Sequence, residues 1–267
     1  MTIRLRTEGA VLVVTLDREA RRNALTPEML CRLADAFVAY EADPALRACV
    51  VTGAGTQAFC SGGDLERTLP LMTGDRPPAD DWDRRVLGDP RVLAASGLRE
   101  LAPGKPVIAA VNGACMAAGF ELLLGTDIRV AASHARFGLP EVQRALLPFA
   151  GSMARLPRQV PWASAMQLLL TGEPIDAAEA LRIGLVNEVL EADAVLPRAM
   201  AIAERIASNG PLAVRTIKRT AVAASGRSLD AAWPLEDEAK RIVFASEDAR
   251  EGPRAFLEKR PPRWRDG

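Results

Sequence analysis

Histidine is almost missing from this 267-residue chain, where His134 stands alone. Any metal site or mechanism that needs two imidazoles is excluded, and no metal is expected. Net charge is missing as well: 34 Lys and Arg balance 34 Asp and Glu. The chain therefore lacks the positive field of a dedicated nucleic-acid binder, and no nucleic-acid partner is expected. Cysteine is sparse. Cys31, Cys49, Cys60 and Cys115 form no C-x-x-C pattern, which points to reduced thiols and a cytoplasmic setting. Met1 to Gly9 is polar and charged without an apolar stretch, so no targeting segment is expected. Residues 106–125 alone could imitate a membrane span, but they contain Asn112 and Glu121. A carboxylate in mid-bilayer is costly, and no membrane association is expected. Nucleotide signatures are absent too. There is no Gly-x-x-x-x-Gly-Lys-Ser/Thr, and Gly53-Ala54-Gly55 lacks the further Gly of a dinucleotide fingerprint. No Gly-x-Ser-x-Gly elbow surrounds a serine. Cys60 with His134 has no sequence support as a catalytic pair, and Cys60 reads as a small buried filler.

What is present is the composition of a globular domain, 49% hydrophobic and 25% charged. Ile3, Leu5 and Val11 to Leu16 predict two strands with a turn at Glu8-Gly9. Thr26 suits an N-cap and Pro27 a first helical position, and Met29, Leu33, Ala36, Phe37 and Tyr40 recur at helical spacing. Ala48 to Thr52, Pro106 to Val111 and Asp127 to Ala131 predict short buried strands. Strands set between helical segments predict repeated ββα or βα units. Residues 69–99, rich in proline and charge, predict a partly helical excursion near a site rather than in the core. Asp176-Ala-Ala-Glu179 has the form of a capping box, with a stop at Gly184. Helices are expected over about 193–208, 211–224 and 229–245. A boundary near residue 200 divides the chain into an α/β core, 1–200, and a helical C-terminal region, 201–267.

Three glycine-rich junctions follow predicted strands, at 58–65, 110–121 and 137–141. Backbone N–H groups at such junctions lack partners, and two that converge can stabilise a developing oxyanion. Taken singly, each reads better as a tight turn. Two glutamates are more informative. Glu121 lies in Gly-Phe-Glu-Leu-Leu-Leu-Gly and Glu141 between Pro140 and Val142. Two carboxyls in an apolar pocket have raised or split proton affinities and suit proton transfer through water. The residues alone leave the other reading open, with Glu141 an exposed loop charge and Glu121 paired with an arginine.

Ordered motifs then bear on the choice. Asp17-Arg18, Asn23-Ala24-Leu25, Phe59 to Leu65, Lys105 to Gly113, Asp127 to Ala131, Phe137 to Glu141, Leu170-Thr-Gly172, Ala177 to Val189 and Glu258-Lys259-Arg260 run along nearly the whole chain. With these the chain resembles the crotonase (enoyl-CoA hydratase/isomerase) superfamily, and within it the enoyl-CoA hydratase-like members. The resemblance implies an α/β fold, a spiral of repeated ββα units with a helical C-terminal trimerisation region. It also implies a homotrimer or a hexamer built as a dimer of trimers. It maps two oxyanion N–H groups to Gly63 and Ala118, and the catalytic glutamates to Glu121 and Glu141. Contacts to the CoA ester map to Arg22, Ala24, Ser61, Gly62, Gly63, Asp64, Leu65, Leu139, Phe149 and Lys259, the last reaching a CoA near a neighbouring subunit. A solvated tail is the alternative for Lys259.

The activity so implied is reversible hydration of a 2-enoyl-CoA. Coenzyme A is then part of the substrate, and no separate cofactor is expected. Glu121 would take a proton as water adds to Cβ, and Glu141 would deliver one to Cα. Three departures stand out. Met116-Ala-Ala-Gly-Phe-Glu replaces a run of three glycines common in hydratases. Phe149 falls where a glycine helps hold the water in well-studied hydratases. Residues 142–161 look closer to bacterial paralogues, including carnitinyl-CoA dehydratases. A carnitinyl-CoA dehydratase, an enoyl-CoA isomerase using one glutamate, and a non-catalytic CoA-thioester binder are the competing readings.

Overall fold

A computed structural model describes residues 2–99 and 104–266. The chain opens with β1 (Ile3–Glu8) and β2 (Val11–Leu16), an antiparallel pair. α1 (Pro27–Ala42) starts where its residues dictate: Thr26 accepts from the Met29 N–H at 3.3 Å, and Pro27 occupies the first turn. Met29, Leu33, Phe37 and Tyr40 form its buried face. Next come β3 (Ala48–Gly53) and β4 (Ala58–Cys60), then three short helices, α2 (Thr68–Thr73), α3 (Asp81–Gly88) and α4 (Pro90–Ser96). β5 (Val107–Val111), β6 (Ala114–Met116) and α5 (Ala118–Leu124) make a second unit, and β7 (Ile128–Ala132) and β8 (Arg136–Gly138) begin a third. A 3-10 helix (Pro140–Arg144) follows, then α6 (Ser152–Gln159), α7 (Trp162–Thr171), β9 (Ile175–Asp176), α8 (Ala177–Arg182) and β10 (Glu188–Leu190). The chain ends in α9 (Ala192–Ala207), α10 (Pro211–Ala224), α11 (Leu229–Ala245) and α12 (Asp248–Leu257).

Among the described residues two sheets form. One has the order β1-β2-β3-β5-β7-β10 and is parallel except for β1; the other has the order β4-β6-β8-β9. Successive strand pairs place one member in each sheet: β3 with β4, β5 with β6, β7 with β8. That is the expected ββα spiral, each coil advancing one strand along both sheets. β3 and β5 are buried at every residue, because α1 and α9 pack against the larger sheet.

Residues 69–99 are more deeply integrated than their composition suggests. Leu71, Val86 and Val92 are buried in the core, while other residues of the same helices face a cavity described below. Exposed polar residues such as Asp75, Asp81 and Arg84 cover the outer faces, while Asp83 is fully buried and accepts from the Arg76 guanidinium. Asp176 caps α8 by accepting from the Glu179 N–H at 2.8 Å, but the Glu179 side chain pairs with Arg182 instead of closing a capping box. Residue 200 lies inside α9, whose Val195, Ala199, Met200, Ala203 and Ala207 are buried on the sheet. α10 and α11 pack on each other, with Pro211 and Ala232 their buried residues. Among the described residues no helix is long and apolar enough to cross a membrane.

Candidate active site

The first junction is held by the residues around Arg18. Its guanidinium donates to Asp64 Oδ2 at 2.5 Å and to the Ala24 carbonyl at 3.2 Å. Asp64 Oδ1 also accepts from the N–H groups of Glu66 and Arg67. Burial would raise the Asp64 carboxyl, but Arg18 and those two N–H groups hold it below the usual carboxylate range. Asn23 Nδ2 donates to the Ala54 and Ala58 carbonyls. These ties press Leu25 against Gly63. The bridge is closed by Leu25 N–H to the Gly62 carbonyl at 2.8 Å and Asp64 N–H to the Leu25 carbonyl at 2.9 Å. The Gly63 N–H is left facing the other way.

The second junction aims Ala118. As the first residue of α5 it has no acceptor within the helix. The residue before it, Ala117, has φ 51° and ψ −125°, a conformation that costs an L-residue roughly 1–3 kcal/mol. Its N–H donates to the Gly138 carbonyl at 2.9 Å, which ties it to the neighbouring strand. A Cβ on Gly62 would lie 2.7 Å from Ala117 Cβ and 3.6 Å from the Ala118 nitrogen, so the two junctions abut. Gly119 approaches as closely: a Cβ there would sit 2.6 Å from the Cys60 carbonyl oxygen. Cys60 is fully buried, with its thiol pushed up to about 12 by burial. His134 bonds to the Thr56 carbonyl at the surface. They form no pair.

Glu121, in the first turn of α5, is 3% exposed. Its Oε1 accepts from the Ala150 N–H at 2.6 Å, the Ser152 hydroxyl at 3.1 Å and the Ser152 N–H at 3.4 Å. Those donors stand at the start of α6, a favourable end for a negative charge. Its partners are thus these donors and not an arginine side chain. Burial and the nearby Glu141 charge nevertheless raise its pKa to about 7, against the pull of Ala150 and Ser152. Glu141 sits on the 3-10 helix beyond β8. Burial raises its pKa also, opposed by its own N–H and by Arg144. Its Oε2 is buried and has no hydrogen-bond partner among the described residues. The result is one carboxyl with a saturated oxygen and one with an orphaned oxygen, both with their proton affinity raised by burial.

Both acids line a cavity of about 500 Å³, and so do Gly63 and Ala118. Ser61, Leu65 and Phe149 also face it, Leu65 and Phe149 being exposed at its mouth. Several expected contact residues lie elsewhere. Gly62 and Asp64 are buried behind the Gly63 turn, and Leu139 is fully buried. Arg22 is an exposed left-handed residue next to this turn, and its carbonyl accepts from the Ser61 N–H. Ala24 is half-buried beneath Arg18. Lys259 is exposed on the C-terminal tail, whose Arg260 is tied to Glu251 at 2.5 Å. Sequence reasoning missed Ser152 and Ala150, the donors to Glu121. The signal was Gly151, whose φ of 122° turns the chain into α6, placing both N–H groups on the carboxylate.

A family model described as enoyl-CoA hydratase/isomerase matches residues 6–267. An enoyl-CoA hydratase, EchA19, of Mycobacterium tuberculosis is 42% identical over 97% of this chain and 94% of its own length. A carnitinyl-CoA dehydratase of Proteus mirabilis is 37% identical over 99% of this chain and 98% of its own. The crystal structure of an enoyl-CoA hydratase from Bacillus anthracis superposes with a TM-score of 0.89 at 33% identity, covering both chains in full.

Proposed function

The chain belongs to the enoyl-CoA hydratase/isomerase family, and from that premise we propose that it is a hydro-lyase adding water reversibly across the double bond of a 2-enoyl-CoA thioester. The thioester carbonyl accepts from the N–H groups of Gly63 and Ala118. Negative charge grows on that oxygen as water attacks Cβ, and one donor aimed at such charge contributes about 3 kcal/mol. Glu121 enters as the carboxylate, since three donors on Oε1 favour its charge, and takes a proton from the attacking water. Glu141 enters protonated, as its orphaned Oε2 suits, and gives a proton to Cα as the enolate collapses. Its carboxylate and the acid form of Glu121 then hold the same single proton between them. Water and the thioester balance the equation.

What carries the reading is the meeting, in one cavity, of two carboxyls of raised proton affinity with two N–H groups left outside the fold's own bonding. Ser61, Gly63 and Leu65 would meet the thioester end of the CoA chain, with Arg22 beyond them. Lys259 would serve a site on a neighbouring subunit of a trimer or a dimer of trimers. Phe244, Phe256 and Leu257 support that assembly, being apolar and 68–82% exposed. Four free, buried thiols suit a reducing compartment such as the cytoplasm. Glu121→Gln and Glu141→Gln should each lower crotonyl-CoA hydration at least 100-fold, about the scale of a lost general acid or base. Near-normal turnover in either variant would refute the assignment.

A further inference from the structure

We propose that Arg155 is a positioning residue for this chemistry: it fastens the start of α6 to the end of α4 and so sets the donors that hold the Glu121 carboxylate. The inference deepens the hydratase reading above and rests on it. Its starting point is how those donors are anchored. The N–H groups of Ala150 and Ser152 that reach Glu121 flank Gly151, whose φ of 122° is one that glycine adopts freely and other residues do not. A glycine turn of that kind fixes nothing by itself. An outside support has to keep both groups on the carboxylate, and Arg155, one turn into α6, supplies it.

The guanidinium of Arg155 forks across the gap between helices: Nη1 donates to the Gly97 carbonyl and Nη2 to the Leu98 carbonyl. Both acceptors lie just past α4, in a turn where Leu98 is left-handed, with φ 48°, and fully buried. Packing here leaves no slack. A Cβ on Gly97 would lie 2.3 Å from the Ala150 carbonyl oxygen. One on Gly125, just past α5, would lie 2.5 Å from Leu98 Cβ and 3.0 Å from Arg155 Nη1. The ends of α4 and α5 and the start of α6 thus meet at one guanidinium. Gln159 Nε2 donates to the Leu124 carbonyl at 3.0 Å and ties the far end of α6 to α5. Glu121 stands on α5 and its donors at α6, so these ties fix the carboxylate and its partners relative to each other. A planar fork holds two carbonyls in one geometry, which an ammonium does not. Leu93, one turn before Gly97, lines the cavity with Leu69 and Met72, so the clamp also joins the cavity wall to the acid. Glu141 is the charge that acts on Glu121, and Arg99 and Glu121 are those that act on Arg155.

The experiment compares Arg155→Met and Arg155→Lys with the parent, as full-length proteins acting on crotonyl-CoA. Arg155→Met should lower kcat at least about 30-fold, the scale of a misplaced catalytic group, with KM within about threefold of the parent. Arg155→Lys keeps the charge and one bond, and its kcat should stay within about tenfold of the parent. The acidic limb of the kcat/KM profile should rise by about half a pH unit or more in Arg155→Met, because Glu121 loses hold of its donors and a nearby positive charge. Gly97→Ala crowds the Ala150 carbonyl and spares Arg155; it should move kcat and the limb in the same directions, and stands in if Arg155→Met does not fold. A lower kcat with an unmoved limb, the mark of lost folded protein, overturns the proposal. So does Arg155→Met turnover near the parent's, or an Arg155→Lys no better than Arg155→Met. Urea unfolding at pH 8 needs no turnover: the gain in folding constant from Glu121→Gln should be about threefold larger in the Arg155→Met background. Equal gains overturn the proposal. A parent that hydrates no enoyl ester while this gain still widens sinks the hydratase reading alone.

Discussion

Replacing Glu121 by Gln should make the protein more stable at alkaline pH while removing its activity. The carboxyl has an ordinary pKa of 4.5, raised to about 7 in the folded chain. Below pH 4.5 it is protonated in both folded and unfolded states and costs nothing. Between 4.5 and 7 the unfolded chain releases a proton that the folded chain retains, so folding grows less favourable. Above 7 the folded carboxyl ionises too and the full penalty is in place. A displacement of that size corresponds to about 3 kcal/mol. Gln does not titrate, and its Oε1 can still accept from Ala150 and Ser152. The variant should therefore match the parent near pH 4.5 and exceed it by about 3 kcal/mol at pH 8 and above. The assay is urea unfolding followed by tryptophan fluorescence from pH 5 to pH 9 at fixed protein concentration, because assembly would otherwise move the midpoint. Glu141 contributes to the shift, so the gap should shrink in a Glu141→Gln background. A gap that is independent of pH, or that widens on acidification, would refute the burial argument.

Ser152→Ala removes one hydroxyl bond to a carboxylate, worth about 1.5 kcal/mol. The ionised form of Glu121 becomes harder to hold, and the acidic limb of the kcat/KM profile should move upward by about one pH unit; an unmoved limb would show that the hydroxyl does not tune the acid. Sedimentation equilibrium should give a mass of three or six chains, and Phe244→Glu with Phe256→Glu should lower it; a monomeric parent would remove the proposed assembly.

The parts of the fold visible in the sequence are those fixed by local chemistry. α1 begins at Thr26-Pro27 as its capping residues dictate, and α9 to α11 fall within a residue or so of their apolar periodicity. β10 was not visible. Its three half-buried residues become a strand only by pairing with β7, more than fifty positions earlier. α6 and α12 are short, and their buried residues include Ser152 in the one and Asp248 and Glu251 in the other, so no apolar period marks them. In the site, Glu121 and Glu141 stood out because carboxylates amid apolar neighbours need a reason. Ser152 did not, since nothing near it in the chain announces a partner thirty-one positions away. Arg18 and Asp64 were visible as a motif, but their work is internal: they fasten the turn that exposes Gly63 rather than line the cavity.

The spiral also sets a pitch for the chemistry. Gly63 follows β4, Ala118 and Glu121 follow β6, and Glu141 lies beyond β8, which are adjacent parallel strands of the smaller sheet. Neighbouring strands stand about 4.8 Å apart, so three consecutive rungs deliver the first amide, then the second amide with one acid, then the other acid, at intervals set by the backbone ladder. Editing one rung can alter a single reactive group while the flanking rungs keep theirs aligned, which gives this scaffold a way to exchange one reaction for another without rebuilding its frame.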